Sequence, residues 1–144
     1  MNNVPILYIA IPVFFILYGI VITVMTKGKK DRVKKWLEQN PNAVKVYVNK
    51  TSIAAAVFSG QITVHSVDGE EPQFFYEKTG SGFYVTPENH IIESSFSNTR
   101  PGILHKRVTT VLGPSKQEIS ADTGKTYNYV FDNKEKAYRF EVLS

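Results

Sequence analysis

The side chains best suited to chemistry in this sequence are three histidines, His65, His90 and His105, and a glycine-rich run, Thr79-Gly80-Ser81-Gly82. Imidazole is the commonest metal ligand, so three in one small chain raise the question of a three-histidine site. Their spacing argues against one. No two form a local ligand pair, no paired acidic motif accompanies them, and His65 and His90 fall on alternating strands. The glycine-rich run lacks the strand–Gly-x-Gly-x-x-Gly–helix setting that a phosphate loop needs, and reads as a hairpin turn. The Gly-x-Ser-x-Gly elbow is absent, so nothing activates Ser81 as a nucleophile. Asn49-Lys50-Thr51 has the form of a glycosylation acceptor, a pattern short enough to arise by chance. Tyr127, Tyr129 and Phe131 are spaced by two, which on a strand makes a buried face rather than a ligand-stacking stripe. These patterns imply no catalytic residue, no cofactor and no metal.

A second group of residues does carry a chemical signal. Lys27, Lys29, Lys30, Arg32, Lys34 and Lys35 crowd into nine positions with one acid, Asp31. The whole chain carries a formal charge of +4, and the cluster holds all of the excess: the residues after it have eleven basic against twelve acidic side chains. With no matching basic face beyond the cluster, nucleic acid is not the expected partner. Anionic lipid is, because a juxtamembrane basic residue gains about 1 kcal/mol near such a surface. Trp36, the single tryptophan, joins the expected contact set, since indole favours the head-group interface. With no cysteine, the chain has no disulfide, thiolate metal site or lipidated thiol.

The cluster takes its meaning from what precedes it. From Val4 to Met25 there is no charged side chain, and about 20 apolar residues at roughly 1.5 Å each match a hydrocarbon core of about 30 Å. The first residues lack a basic side chain, the run is longer than a signal peptide's core, and Val24-Met25-Thr26-Lys27 is a poor cleavage site. An uncleaved transmembrane anchor over 1–26 is expected, with Pro5 in its first turn and an ordinary kink at Pro12. The positive-inside rule then places the N-terminus outside and the following domain in the cytoplasm. Val33, Trp36 and Leu37 stand at i, i+3, i+4, which predicts a short juxtamembrane helix from about Lys29 to Gln39 within a 27–42 linker. Those three residues would face either the head groups or the core of the next domain. Asn40-Pro41 ends the helix.

From 43 to 144 the period changes to two. Val44, Val46 and Val48 alternate with polar neighbours, and 61–67 is a strong strand followed by Asp68-Gly69, a hairpin turn that would bring 74–77 back as partner. The run 53–58 is ambiguous between helix and strand. Further strands are expected at 83–85, 90–96, 106–112, more weakly 115–120, then 126–131 and 135–142, with Arg100-Pro101-Gly102 and Gly113-Pro114 as brackets. The expected fold is an all-β, antiparallel β-sandwich of about eight strands behind the transmembrane helix and the short juxtamembrane helix. Its expected core is Val46, Val48, Ile62, Val64, Phe75, Phe83, Val85, Ile92, Phe96, Val108, Tyr127, Tyr129, Phe131, Phe140 and Val142.

Three stretches of this domain, Val64-His65-Ser66-Val67-Asp68-Gly69-Glu70, Phe83 through Thr86-Pro87-Glu88-Asn89-His90 to Ile92, and Gly124-Lys125-Thr126-Tyr127, resemble the bacterial PEGA-type surface β-sandwiches. The likeness covers roughly residues 61–131. The usual glycine after the proline is replaced by Glu88-Asn89, where Asn89 is the residue expected to accept a left-handed conformation. The resemblance implies a sandwich fold and a location outside the cytoplasm, opposite to the side that the basic cluster indicates; it implies no catalysis.

Two functions follow as expectations. One is a membrane-tethered, non-catalytic interaction or scaffold module with a protein partner. The other is a small-ligand or lipid-sensing domain, motivated by 9 Phe and 8 Tyr.

Overall fold

The computed structural model describes residues 6–50, 60–101 and 107–143. They divide into two units, Met1–Gln39 and Asn40–Ser144. The first is a single helix, α1 (Ile6–Gln39), of 34 residues. At 1.5 Å per residue α1 is about 51 Å long, and its apolar part as far as Thr26 takes up about 31 Å of that. Among the described residues it is the one helix long and apolar enough to cross a membrane, consistent with single-pass anchoring.

The expected joint between an anchor and a separate juxtamembrane helix does not exist. Gly28 costs a helix only about 1 kcal/mol, and the lysines on either side are good helix formers. The helix also continues through Pro12. The Thr23 hydroxyl donates to the Gly19 carbonyl at 2.7 Å and that of Thr26 to the Ile22 carbonyl at 2.9 Å. Both threonine hydroxyls of the apolar stretch are thus satisfied on their own helix, as hydrocarbon demands. Past Gln39 the Ala43 amide donates to the Asn40 carbonyl at 3.0 Å, a turn rather than more helix.

The second unit contains β1 (Val44–Val48), β2 (Gln61–Val67), β3 (Gln73–Glu77), β4 (Gly80–Val85), β5 (Asn89–Pro101), β6 (Arg107–Ser120), β7 (Thr126–Asp132) and β8 (Ala137–Val142). They form a five-stranded sheet in the order β3-β4-β1-β7-β8 and a three-stranded sheet in the order β2-β5-β6. Among the described residues the protein is therefore mostly β with one helix, not all-β. Nor is it antiparallel throughout, for β1 and β7 run parallel. The chain between them is long enough for a parallel pairing that no hairpin can make.

Side chains from both sheets meet in one core. Val44, Val46, Phe83, Val85, Tyr127, Tyr129 and Phe131 come from the larger sheet, and Ile62, Val64, Ile92, Phe96 and Ile119 from the smaller. Phe96 stacks on Phe131 across the layers with ring centroids 4.1 Å apart, and the Ser94 and Tyr129 hydroxyls, both fully buried, bond at 2.8 Å. Val48 and Phe140 pack at the margin. Val142 does not belong to the core: at the end of an edge strand it is 57% exposed. Val44, Tyr47, Ile119 and Ala121 are buried beyond expectation.

Four local expectations change. Asp68 (φ 53) and Gly69 (φ 81) do form the two-residue turn, with Val67 and Glu70 exchanging two 3.0 Å backbone bonds. The hairpin stops at that single bridge, because two residues on, where the ladder needs its next amide, stands Pro72 with no N–H. So β2 pairs with β5, while β3 pairs with β4 in the other sheet. Gly113-Pro114 does not separate two strands either. It lies within β6, opposite a register shift between Ser94 and Phe96 of β5, on a sheet edge where proline is tolerated. The β3–β4 turn is Lys78-Thr79, and Gly80-Ser81-Gly82 already belongs to β4. Finally, Asn89 opens β5 without a left-handed backbone; among described non-glycine residues that conformation falls to Asn49, Asp68 and Lys136.

Gly82 shows why the strand begins with glycines. It faces Tyr47 of β1 and Phe75 of β3, and a Cβ there would lie 1.9 Å from the Val46 carbonyl oxygen. The run 53–58, His105 and the glycine of the expected 100–102 turn lie outside the described residues.

Candidate functional site

The lipid-facing residues expected from sequence all lie on the C-terminal part of α1, from Lys27 to Trp36. Lys27, Lys29, Lys30, Arg32, Lys34 and Lys35 are exposed. At 100° per residue they are distributed around the whole circumference of the helix, whereas Val33, Trp36 and Leu37 share one side. A stripe of charge would suit a helix lying flat in the interface. A collar suits one that passes through the head groups upright.

In the β unit the structure brings together a polar cluster that the sequence did not reveal. Asp68 is held in its turn by the Ile91 backbone, whose amide donates to Asp68 Oδ1 at 2.8 Å and whose carbonyl accepts the Asp68 amide at 2.8 Å. Asp68 Oδ2 accepts from His90 Nδ1 at 2.5 Å. The other ring nitrogen, Nε2, lies 2.8 Å from the Thr86 carbonyl oxygen and 3.2 Å from Thr86 Oγ1. Carboxylate, imidazole and hydroxyl thus stand in the order used by hydrolases. What they can do depends on where the protons sit. The Thr86 hydroxyl donates its single hydrogen to Glu88 Oε1 at 2.7 Å, and a carbonyl can only accept, so Nε2 must donate. A ring nitrogen that donates cannot take the hydroxyl proton as a general base does. His90, 5% exposed, therefore fastens the β2–β3 turn to the β4–β5 turn. Partial burial opposes ionisation of Asp68, but the His90 bond and the Ile91 amide outweigh it and hold the carboxyl below its usual range.

The outward face of the five-stranded sheet carries a second cluster. Over the floor left by Gly82, Phe75 sits edge-on to Tyr47 at 5.2 Å and tilted against Tyr84 at 5.0 Å. Lys45 Nζ lies 5.0 Å from the Phe75 ring centroid and bonds Glu77 at 2.6 Å, while Lys50 Nζ lies 4.0 Å from the Tyr47 centroid. The Tyr47 hydroxyl donates to Glu77 at 3.0 Å. The Lys45 and Tyr47 bonds hold the Glu77 carboxyl below its usual range, and the same Glu77 bond raises Lys45. Lys45, Tyr47, Lys50 and Glu77 each have a partner within this set.

The remaining candidates are accounted for individually. His65 Nε2 bonds Ser95 Oγ at 2.8 Å, far from the His90 cluster in its partners. Among the described residues no three His, Asp or Glu side chains come close enough to hold a metal ion. Ser81 is exposed on β4. The Asn49 side-chain amide, the acceptor of the formal glycosylation pattern, donates to the Gly60 carbonyl at 3.0 Å. An open cleft of about 350 Å³ lies on the outer side of the smaller sheet between Ser66, Asp68, Glu93 and Lys116. Compared with known proteins, the chain matches no family model, no curated protein and no solved structure.

Proposed function

We propose that this protein is a single-span, membrane-anchored β-sandwich that acts as a non-catalytic interaction or scaffold module at the membrane surface. The observation that carries the reading is the uninterrupted run of α1 from a stretch of bilayer length into an all-round basic collar. The apolar stretch anchors, and the collar meets anionic head groups and sets orientation with the β unit on the cytoplasmic side. The polar clusters support the non-catalytic part, since their protons and charges are used within the fold. A small-ligand or lipid-sensing role would need aromatic rings free to face a ligand. The rings of the core contact one another: Tyr127 on Phe140 at 4.4 Å, Tyr129 on Tyr138 at 5.2 Å, Phe96 on Phe131 at 4.1 Å.

The test is protease accessibility of the full chain in sealed vesicles of known orientation, with a detergent-sensitive cleavage within 27–45 as control. The expected result is a β unit on the cytoplasmic side, and loss of that preference when the six basic residues are replaced by Gln. A β unit on the other side in the unaltered chain would overturn the orientation and make the PEGA-type resemblance the better guide. Turnover of any small molecule by the purified chain would overturn the non-catalytic reading.

A further inference from the structure

Among the described residues the two sheets leave four edge strands, β3, β8, β2 and β6. An open edge invites another strand unless something blunts it. Strand β2 is bulged between Val64 and Ser66, β6 is interrupted by Gly113-Pro114, and β3, the shortest, is entered from Pro72. Strand β8 has none of these devices. It contains no Gly or Pro and pairs with β7 in unbroken register from Ala137 to Val142.

The direction of its free backbone groups follows from one bond. The Leu143 amide donates to the Thr126 carbonyl at 2.7 Å, so in the antiparallel ladder Ala137, Arg139 and Glu141 turn their amides and carbonyls toward β7. Tyr138, Phe140 and Val142 turn theirs outward. From this geometry we infer that β8 pairs antiparallel with β8 of a second copy, about a two-fold axis at Phe140. In that register Phe140 exchanges both backbone bonds with its own copy, and Tyr138 does so with Val142 of the second copy. The partner is chosen by charge. On the outer face Arg139 stands opposite Glu141 of the second copy, and the two-fold repeats the pair.

Neighbouring registers lack this match. An axis at Arg139 sets two arginines face to face, and one at Glu141 sets two glutamates, each of which is destabilising. Arg139 keeps its bonds to Asp132 at 2.9 Å and Glu135 at 3.1 Å, because a guanidinium has five N–H donors. The pairing also places Val142, 57% exposed in one copy, beside Tyr138 of the other. An isologous contact of this kind closes on itself, so it yields a dimer and no fibre. Confinement of both copies to one membrane raises their effective concentration.

This inference rests on the interaction-module reading, with a second copy as the partner. The chain has no cysteine, which makes cross-linking unambiguous. Full-length R139C and E141C chains, both substituted at exposed positions, are reconstituted together in one bilayer and treated with a mild oxidant. The expected result is a mixed disulfide at least about tenfold above the dimer formed by either variant alone, since like positions are too far apart across the axis to bridge. Light scattering of the full chain in detergent should show a dimer that Glu141→Arg converts to monomer and that the double variant R139E/E141R restores. Absence of the mixed disulfide, equal yields from the single variants, or a dimer unaffected by Glu141→Arg would each overturn the inference. Those outcomes leave the module reading standing, whereas small-molecule turnover would remove the module reading and leave the dimer.

Discussion

The five-stranded sheet keeps its register along every ladder, while the three-stranded sheet breaks register twice, between Val64 and Ser66 and between Ser94 and Phe96. The larger sheet has buried apolar side chains on both faces, Val46 and Tyr129 inward and Tyr47 and Phe75 outward. A slip by one residue there would misplace two packed faces at once. The smaller sheet packs only inward, and its outer face carries Thr63, His65, Glu93 and Lys116. An extra residue on that side displaces nothing but solvent. The contrast shows that register in this fold is enforced by what lies on both sides of a sheet rather than by its hydrogen bonds.

The sharpest way to break the contrast is Gly82→Ala. The new methyl must push apart β4 and β1 against backbone, and the loss should be about 4 kcal/mol or more, enough to unfold a unit whose total stability is about 5–15 kcal/mol. Urea titration of the full chain in detergent, followed by circular dichroism, measures it. Next in size is the bond that joins the sheets. Ser94→Ala leaves the Tyr129 hydroxyl buried without its partner and should cost about 1–3 kcal/mol, part of which returns in the S94A/Y129F double variant. A double-mutant cycle checks the coupling.

Asp68→Asn comes third, at about 1 kcal/mol near neutral pH, the solvent exposure of the carboxylate keeping the figure small. Asn tolerates the left-handed turn, so the substitution isolates the charge. Because the folded carboxyl titrates below its ordinary value, its contribution is complete above about pH 3.9 and disappears as pH falls through the folded pKa. The difference between the two proteins should therefore shrink in acid. Smallest is Gly113→Ala in the bulged sheet, where a Cβ meets nothing within 4 Å and the change should stay within about 0.5 kcal/mol. A loss there as large as that of Gly82→Ala would erase the distinction between the sheets.

The same distinction governs what was legible in the sequence. Strict alternation at Val44-Val46-Val48 and Tyr127-Tyr129-Phe131 marks strands of the regular sheet, and both sets are inward-facing. Where alternation is interrupted, reading failed: Gly113-Pro114 looks like a strand end and is part of an edge strand. Asp68-Gly69 was legible as a turn but not as a crossing between sheets, since the deciding residue is the missing amide of Pro72. The Asp68–His90–Thr86 cluster was invisible because its members, on two turns and the start of β5, meet only once β2 has paired with β5. Phe75, expected in the core between the sheets, is instead buried against Tyr47 on the outer face, because it is Phe74 that turns inward, and alternation alone leaves Tyr47 to solvent.

On the membrane-anchored reading proposed above, the collar at the end of α1 behaves as a depth gauge with no compass. Charges on every side of the helix resist being drawn into hydrocarbon whichever way the shaft is turned, so they fix its immersion and are indifferent to its rotation. Heading is left to Val33, Trp36 and Leu37, the one asymmetric feature of that segment. In a thicker or thinner membrane the shaft answers by leaning, with the collar as the fixed waterline from which the lean is measured.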